Sequence, residues 1–166
     1  MRITERKYLD TYKKSIGNEI SKLINNFDFS ENSGGFEYLT KASAVYSSNI
    51  EGNSIDLNSY MNYEMNKDKF KLGKEIEEIE DLIEAYGFAQ TNKLNEKNLL
   101  NCHKIFSNTL LIKSKRGIYR NEQIGVFGKS GLAYMAIEPE LAEKEMKVLF
   151  QNINELISSE LNEIEV

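Results

Sequence analysis

An all-α domain carrying one inserted β-hairpin is what this sequence predicts, and three observations predict it. Apolar residues recur every three or four positions through most of the chain, which is the spacing of helical faces. One stretch, Glu122 to Ala136, abandons that rhythm for alternation around the turn residues Gly128, Lys129, Ser130 and Gly131. A length of 166 residues, 40% of them apolar, permits one real hydrophobic core and leaves little room for two.

In chain order, Ile3, Tyr8, Tyr12, Ile16, Ile20, Leu23, Ile24 and Phe27 predict a first helix from Ile3 to about Asn26. The turn residues between Phe27 and Gly35 predict a loop. A second helix is predicted from Phe36 to Glu51, with Leu39, Ala42, Tyr46 and Ile50 in register and Gly52-Asn53 as its stop. Leu57 to Met65 reads as a short helix. Beyond Gly73 lies the clearest amphipathic segment, with Ile76, Ile79, Leu82, Ile83 and Tyr86 on one side and Glu77, Glu80, Asp81 and Glu84 on the other. Its first turn is acidic, which suits the positive end of the helix dipole. Asn95 is placed to cap a helix running to about Leu111, with Leu99, His103, Phe106 and Leu110 on one stripe. The hairpin sets Ile124 and Val126 against Leu132, Tyr134 and Ala136. Pro139 then opens a last helix using Leu141, Ala142, Met146, Leu149, Phe150, Ile153, Leu156 and Ile157. The organisation expected is a helix and loop over residues 1–35 and a domain over 36–166.

Composition excludes several classes. No apolar run approaches the roughly 18 residues of a membrane span, and the start of the chain lacks the apolar stretch of a signal peptide. A single cysteine builds no disulfide framework, so reducing cytoplasm is the expected compartment. One histidine and one cysteine argue against a four-ligand zinc site. The net charge of −5 is gathered at the end, where Glu138 to Val166 holds eight acidic residues and two lysines. A near-neutral body with an acidic end predicts neither nucleic acid nor a membrane as partner. The one basic concentration is Lys113, Lys115, Arg116 and Arg120, with Lys129 nearby. It reads either as a solvated loop or as a docking surface for something anionic.

Most candidate chemistry dissolves on inspection. Cys102 and His103 are adjacent, so on a helix they point about 100° apart, and His103 lies on the apolar stripe as a packed structural histidine would. The carboxylates of the 75–84 segment read as a solvated face, since no apolar neighbours surround them to shift a pKa. Gly128-Lys129-Ser130 ends like a phosphate-binding P-loop. The glycine required five positions earlier is Gln123, however, and a strand follows where a helix is needed.

Ser47 to Asn53 is different. Glu51 falls in the last helical turn, where a carboxylate meets the negative end of the dipole and is disfavoured by about 0.3–1 kcal/mol. Ser47, one turn earlier on the same face, is close enough to steady it by a hydrogen bond. A carboxylate kept there against local preference suggests a cationic partner elsewhere. The other reading is an ordinary surface glutamate before a C-capping glycine.

With Ser47, Glu51 and Gly52 in the defining places, this string resembles the inhibitory-helix signature (Ser/Thr)-x-x-x-Glu-(Gly/Asn) of the Fic (filamentation) family. Gly117-Ile118-Tyr119-Arg120, a hairpin, then a helix led by Pro139 is similar to the family's order of Gly-x-x-Arg, flap and helix. Glu138-Pro139 stands where many relatives have Pro-Pro. The resemblance covers roughly Phe36 onward, and makes residues 36–53 the inhibitory helix and 117–137 the flap region.

The resemblance implies transfer of AMP from ATP to a Ser, Thr or Tyr hydroxyl of a target protein. It implies ATP and magnesium as cofactors of the complete domain, with none held tightly by this chain. A histidine base, a Gly-Asn-Gly-Arg phosphate nest and a metal-holding acid belong to the family's machinery. Glu51 would pair with an arginine of that nest and block productive placement of the γ-phosphate, with Ser47 in support. The flap, represented by Gln123, Ile124, Gly125, Val126, Phe127 and Tyr134, would register the target by adding it as a strand. The catalytic signature His-Pro-Phe-x-(Asp/Glu)-Gly-Asn-Gly-Arg is absent from the 166 residues, and His103 precedes the flap rather than following it. The sequence thus reads as a Fic-like helical domain lacking the core helices of the catalytic motif. No catalytic or metal-binding residue is assigned within it. The expectation is a chain inactive alone, exposing an apolar patch that drives self-association or receives a partner chain. The competing expectation is an antitoxin-like, non-enzymatic helical module that inhibits a separate Fic chain.

Overall fold

The computed structural model describes residues 33–69 and 73–158, together with Thr11, Ser15, Glu19, Lys22 and Asn26. The predicted first helix and the start of the following loop otherwise lie outside the described residues. The chain divides into two compact units, residues 32–122 and residues 1–31 with 123–166.

In the first unit, α1 spans Ser33–Ile50, α2 Leu57–Met65, α3 Lys74–Thr91 and α4 Glu96–Phe106, with single 3₁₀ turns at Lys67–Lys69 and Lys113–Lys115. α3 packs against both α1 and α4, and α1 also meets α2. The core is Ala44, Val45, Tyr60, Tyr63 and Ile79, flanked by Ile55, Leu57, Met61, Ile76, Leu82, Ile83 and Tyr86. Each fully buried large side chain among them contributes about 1.5–3 kcal/mol by leaving water. Tyr60 keeps its hydroxyl satisfied by donating to Glu80 Oε1 at 3.0 Å. Burial, with Glu80 beside it, pushes this phenol far above its ordinary range, so it stays protonated.

α1 presents a different face to the core than its bulky residues suggest. Ala42, Ala44, Val45 and Ser48 are buried, whereas Leu39, Tyr46 and Ile50 are exposed. Small side chains let two helix backbones approach closely, and the large stripe is left outward. α1 also begins earlier than predicted, because glycines in a first turn cost little where the N–H groups have no helical acceptor. Asp56 caps α2 by accepting from the Ser59 N–H at 2.9 Å, and Asn95 caps α4 by accepting from the Asn98 N–H at 2.8 Å. α4 stops at Phe106 rather than near Leu111. There the Asn108 N–H turns to the Ile105 carbonyl, and the Thr109 N–H leaves the helix for Asp81 Oδ2 at 2.6 Å.

In the second unit, β1 (Gly125–Gly128) pairs antiparallel with β2 (Gly131–Met135), and α5 covers Pro139–Ile157. The register runs from Gly125 opposite Met135 to Gly128 opposite Gly131, with an irregularity between Val126 and Phe127. Neither Lys129 nor Ser130 has a positive φ. Gly131 does, at 108°, which fits an ordinary turn followed by a left-handed glycine and a bulge. Mostly helical with one small hairpin, the architecture is the one the sequence predicts. Among the described residues, no helix is long and apolar enough to cross a membrane.

Candidate functional site

The end of α1 is built from a pair of backbone bonds. The Gly52 N–H donates to the Asn49 carbonyl at 3.0 Å, and the Asn53 N–H to the Ser48 carbonyl at 3.1 Å. That pattern closes a helix whose next residue but one is left-handed, and Gly52 has φ of 97°. Glycine at this place of the Ser47–Gly52 string is thus a requirement of the helix stop, since no other residue adopts that backbone without cost. Glu51 is the residue between helix and stop. It is exposed, and among the described residues no hydrogen bond or ion pair engages its carboxylate.

Ser47 does not steady Glu51. Its hydroxyl lies 3.1 Å from the Tyr86 hydroxyl on α3, a contact that spans 39 residues and that local spacing cannot reveal. The pair pins α1 to α3 one turn before Glu51.

Past Gly52 the chain is tied down on α3. Asn53 Nδ2 donates to the Glu75 carbonyl at 2.8 Å and to Glu78 Oε2 at 3.3 Å. The Ser54 N–H and hydroxyl both donate to Glu75 Oε1, at 3.0 and 2.8 Å. These two bonds hold the Glu75 carboxyl below the ordinary glutamate range. A lowered folded-state value means the tether is intact above the ordinary titration near about 4.3 and is lost as pH falls through the lower folded-state midpoint. A carbon-detected NMR titration should therefore find the Glu75 midpoint rising in Ser54→Ala, which removes one of the two bonds. An unchanged midpoint in that variant would contradict the tether.

The solvated-face expectation for α3 is corrected by these contacts. Glu75 and Glu78 hold the 53–54 segment, and Glu80 accepts from Tyr60. Asp81, 9% exposed, accepts from the Thr109 N–H and from Asn108 Nδ2. Only part of the acidic row, such as Glu84, is freely exposed. The missed signal was the Asn and Ser content of the facing loops, which supplies donors.

The basic concentration is likewise largely spent within its own unit. Lys115 Nζ pairs with Glu122 at 3.0 Å, Arg116 reaches the Leu111 carbonyl and Asn108 Oδ1, and Arg120 Nη1 donates to the Glu122 carbonyl. These three side chains help to fold the loop, while Lys113 and Lys129 are exposed. His103 is structural, as its place on the stripe predicts. Its Nδ1 accepts the Gly117 N–H at 2.8 Å, and its ring stands edge-on to Phe106 at 5.1 Å. Cys102 lies against the Ala85 carbonyl, and burial pushes its thiol up, away from nucleophilic thiolate.

In the second unit, the flap residues sit together on the hairpin. Val126 pairs with Tyr134, Gln123 Nε2 donates to the Ala136 carbonyl, and Ile124, Val126, Phe127 and Tyr134 are all exposed. Apolar side chains presented to solvent on a two-stranded ribbon are a surface ready to be covered. Among the described residues, no group of three or more His, Cys, Asp or Glu side chains is arranged to hold a metal ion.

No family model matches the sequence, and no curated protein does. Among solved structures, the chain is similar to a Fic family protein from Desulfovibrio desulfuricans G20, with a TM-score of 0.70 at 19% identity. The match covers 89% of this chain and 46% of that one, so the chain spans about half the length of its structural neighbour. The fold of these residues is that of a Fic-like helical domain.

Proposed function

We propose that this chain is the regulatory and target-docking portion of a Fic-type protein adenylyltransferase, self-inhibited through Glu51. The observation that carries the reading is an exposed carboxylate, unpaired among the described residues, at the end of a helix where its charge is locally disfavoured, in a chain with a Fic-like fold. A carboxylate so held is stabilised by a cation brought to it. If that cation is the arginine that receives the γ-phosphate, occupation by Glu51 and productive ATP placement exclude one another. In the uninhibited reaction the target hydroxyl attacks the α-phosphorus of ATP, its proton passes to a base, and pyrophosphate leaves. Neither base nor phosphate nest is among the 166 residues. The exposed hairpin supports the docking half of the reading, since an extended target segment gains main-chain bonds by lying along a strand edge. The exposed stripe Leu39, Tyr46 and Ile50 on α1 supports a covering surface, whether a second copy or a partner chain.

Incubation of the chain with labelled ATP, magnesium and lysate is expected to transfer no label. A longer polypeptide that adds the catalytic signature is expected to transfer weakly, and more strongly with Glu51→Gly. Label transferred by these residues alone, or no gain from Glu51→Gly, would refute the reading. Co-purification of a stoichiometric partner bearing the signature would favour the antitoxin-like alternative.

A further inference from the structure

We propose that Asn53, Ser54 and Glu75 are positioning residues for Glu51, forming a clamp that sets the direction in which its carboxylate leaves α1. The inference rests on the reading of Glu51 given above and names what holds that residue in place.

Glu51 has no side-chain bond of its own to orient it among the described residues, so its placement is inherited from the backbone on either side. On the helical side, the Ser48 carbonyl accepts from both the Glu51 and Asn53 N–H groups, each at 3.1 Å. Beyond the stop, most polar groups of residues 53–55 are taken up. Asn49 Nδ2 donates to the Asn53 carbonyl at 2.8 Å and the Ile55 carbonyl at 2.9 Å. The Ile55 N–H donates to Asn53 Oδ1 at 3.0 Å, while Asn53 Nδ2 and Ser54 hold the start of α3 through Glu75 and Glu78. Helix ends fray unless their last carbonyls and the following chain are engaged. With this segment released, the pair of bonds at Ser48 and Asn49 would open and Glu51 would swing with the last turn.

The clamp is not part of the core. The buried cluster is Ala44, Val45, Tyr60, Tyr63 and Ile79, whereas Ser54 and Glu75 are exposed and Asn53 is half-buried. Its loss should therefore free Glu51 without unfolding the unit. Asn53 is also chemically specific. It donates through its amide nitrogen to α3 and accepts through its oxygen from Ile55. An aspartate would keep only the acceptor and add a third negative charge beside Glu75 and Glu78.

The test uses the 166-residue chain. Amide hydrogen exchange at Gly52 and Asn53 reads the helix stop, and carbon relaxation at Glu51 Cγ reads the order of the side chain. Asn53→Asp and Ser54→Ala are expected to raise exchange at residues 52 and 53 at least tenfold and to lower Glu51 order. Exchange at Val45 and Ile79, and the urea midpoint, should stay as in the parent chain. Glu75→Gln, which keeps an acceptor oxygen, is expected to retain much of the protection that Glu75→Ala loses. Unchanged exchange and order in Asn53→Asp would overturn the proposal. So would an equal rise at Val45 and Ile79, which would make the contacts merely structural. No outcome here depends on AMP transfer. If Glu51→Gly leaves activity unaltered while these variants loosen Glu51, the inhibitory reading fails and the clamp stands.

Discussion

Gly117→Ala should destabilise the first unit by about 3 kcal/mol or more, combining left-handed backbone strain with overpacking. Gly117 has φ of 68°, and an added Cβ would stand 2.8 Å from Lys104 Cβ and 2.9 Å from the Leu100 carbonyl oxygen. Both are fixed parts of α4 rather than flexible side-chain tips, so the segment itself must lift. Lifting breaks the Gly117 N–H bond to His103 and strains the neighbouring Tyr119 hydroxyl bond to Glu96, at 2.9 Å. Gly52 supplies the control. Its φ of 97° is also left-handed, but an added Cβ meets nothing within 4 Å. Gly52→Ala is therefore expected to cost only about 1 kcal/mol, the conformational part. Urea unfolding of both variants checks the contrast. Equal losses would show that the contact with α4 contributes nothing.

Asp81→Ala should cost about 2–4 kcal/mol, since the buried carboxylate accepts a backbone N–H that has no other acceptor among the described residues. The Thr109 N–H sits 2.6 Å from Asp81 Oδ2, and Asn108 links Oδ1 at 3.3 Å to Arg116, whose Nη1 donates to Asn108 Oδ1 at 2.6 Å. The chain Asp81, Asn108, Arg116 and the Leu111 carbonyl closes the loop between α4 and Gly117. Asp81→Asn retains an acceptor for Thr109 and is expected to lose about half as much. The network predicts coupling as well. Asp81→Ala and Arg116→Ala combined should cost less than their sum, by about 0.5–3 kcal/mol. Urea unfolding of the singles and the double measures this. Strict additivity, or a loss below about 0.5 kcal/mol for Asp81→Ala, would remove the network from the account.

These same contacts mark where the sequence was legible. Helical periodicity located α2 and the starts of α3 and α4, because those elements are specified by residues three or four apart and by Asp56 or Asn95 at the cap. The hairpin was legible through its alternation and its glycines. The end of α4 was not, because Thr109 leaves the helix for a carboxylate 28 positions earlier in the chain. Periodicity carries no record of such a partner. Glu75, Glu78 and Glu80 read as solvated for the same reason, their donors lying 20–25 residues away in sequence. On α1 only Ala42 of the predicted stripe is buried, while Leu39, Tyr46 and Ile50 are exposed and the unpredicted Ala44 and Val45 enter the core. Of the candidate site, the position of Glu51 and the role of Gly52 in ending the helix could be read locally. The partner of Ser47 could not, being on another helix.

The contact between Gly117 and His103 gives the molecule a built-in spectroscopic reporter. The chain has one histidine, so its imidazole signals need no assignment by mutation. Because Nδ1 accepts the Gly117 N–H, the neutral ring carries its proton on Nε2, a tautomer that nitrogen shifts distinguish. Any ligand, partner or substitution that peels the Gly117–Arg120 segment from α4 would be visible in that single ring once this chain alone carries nitrogen-15.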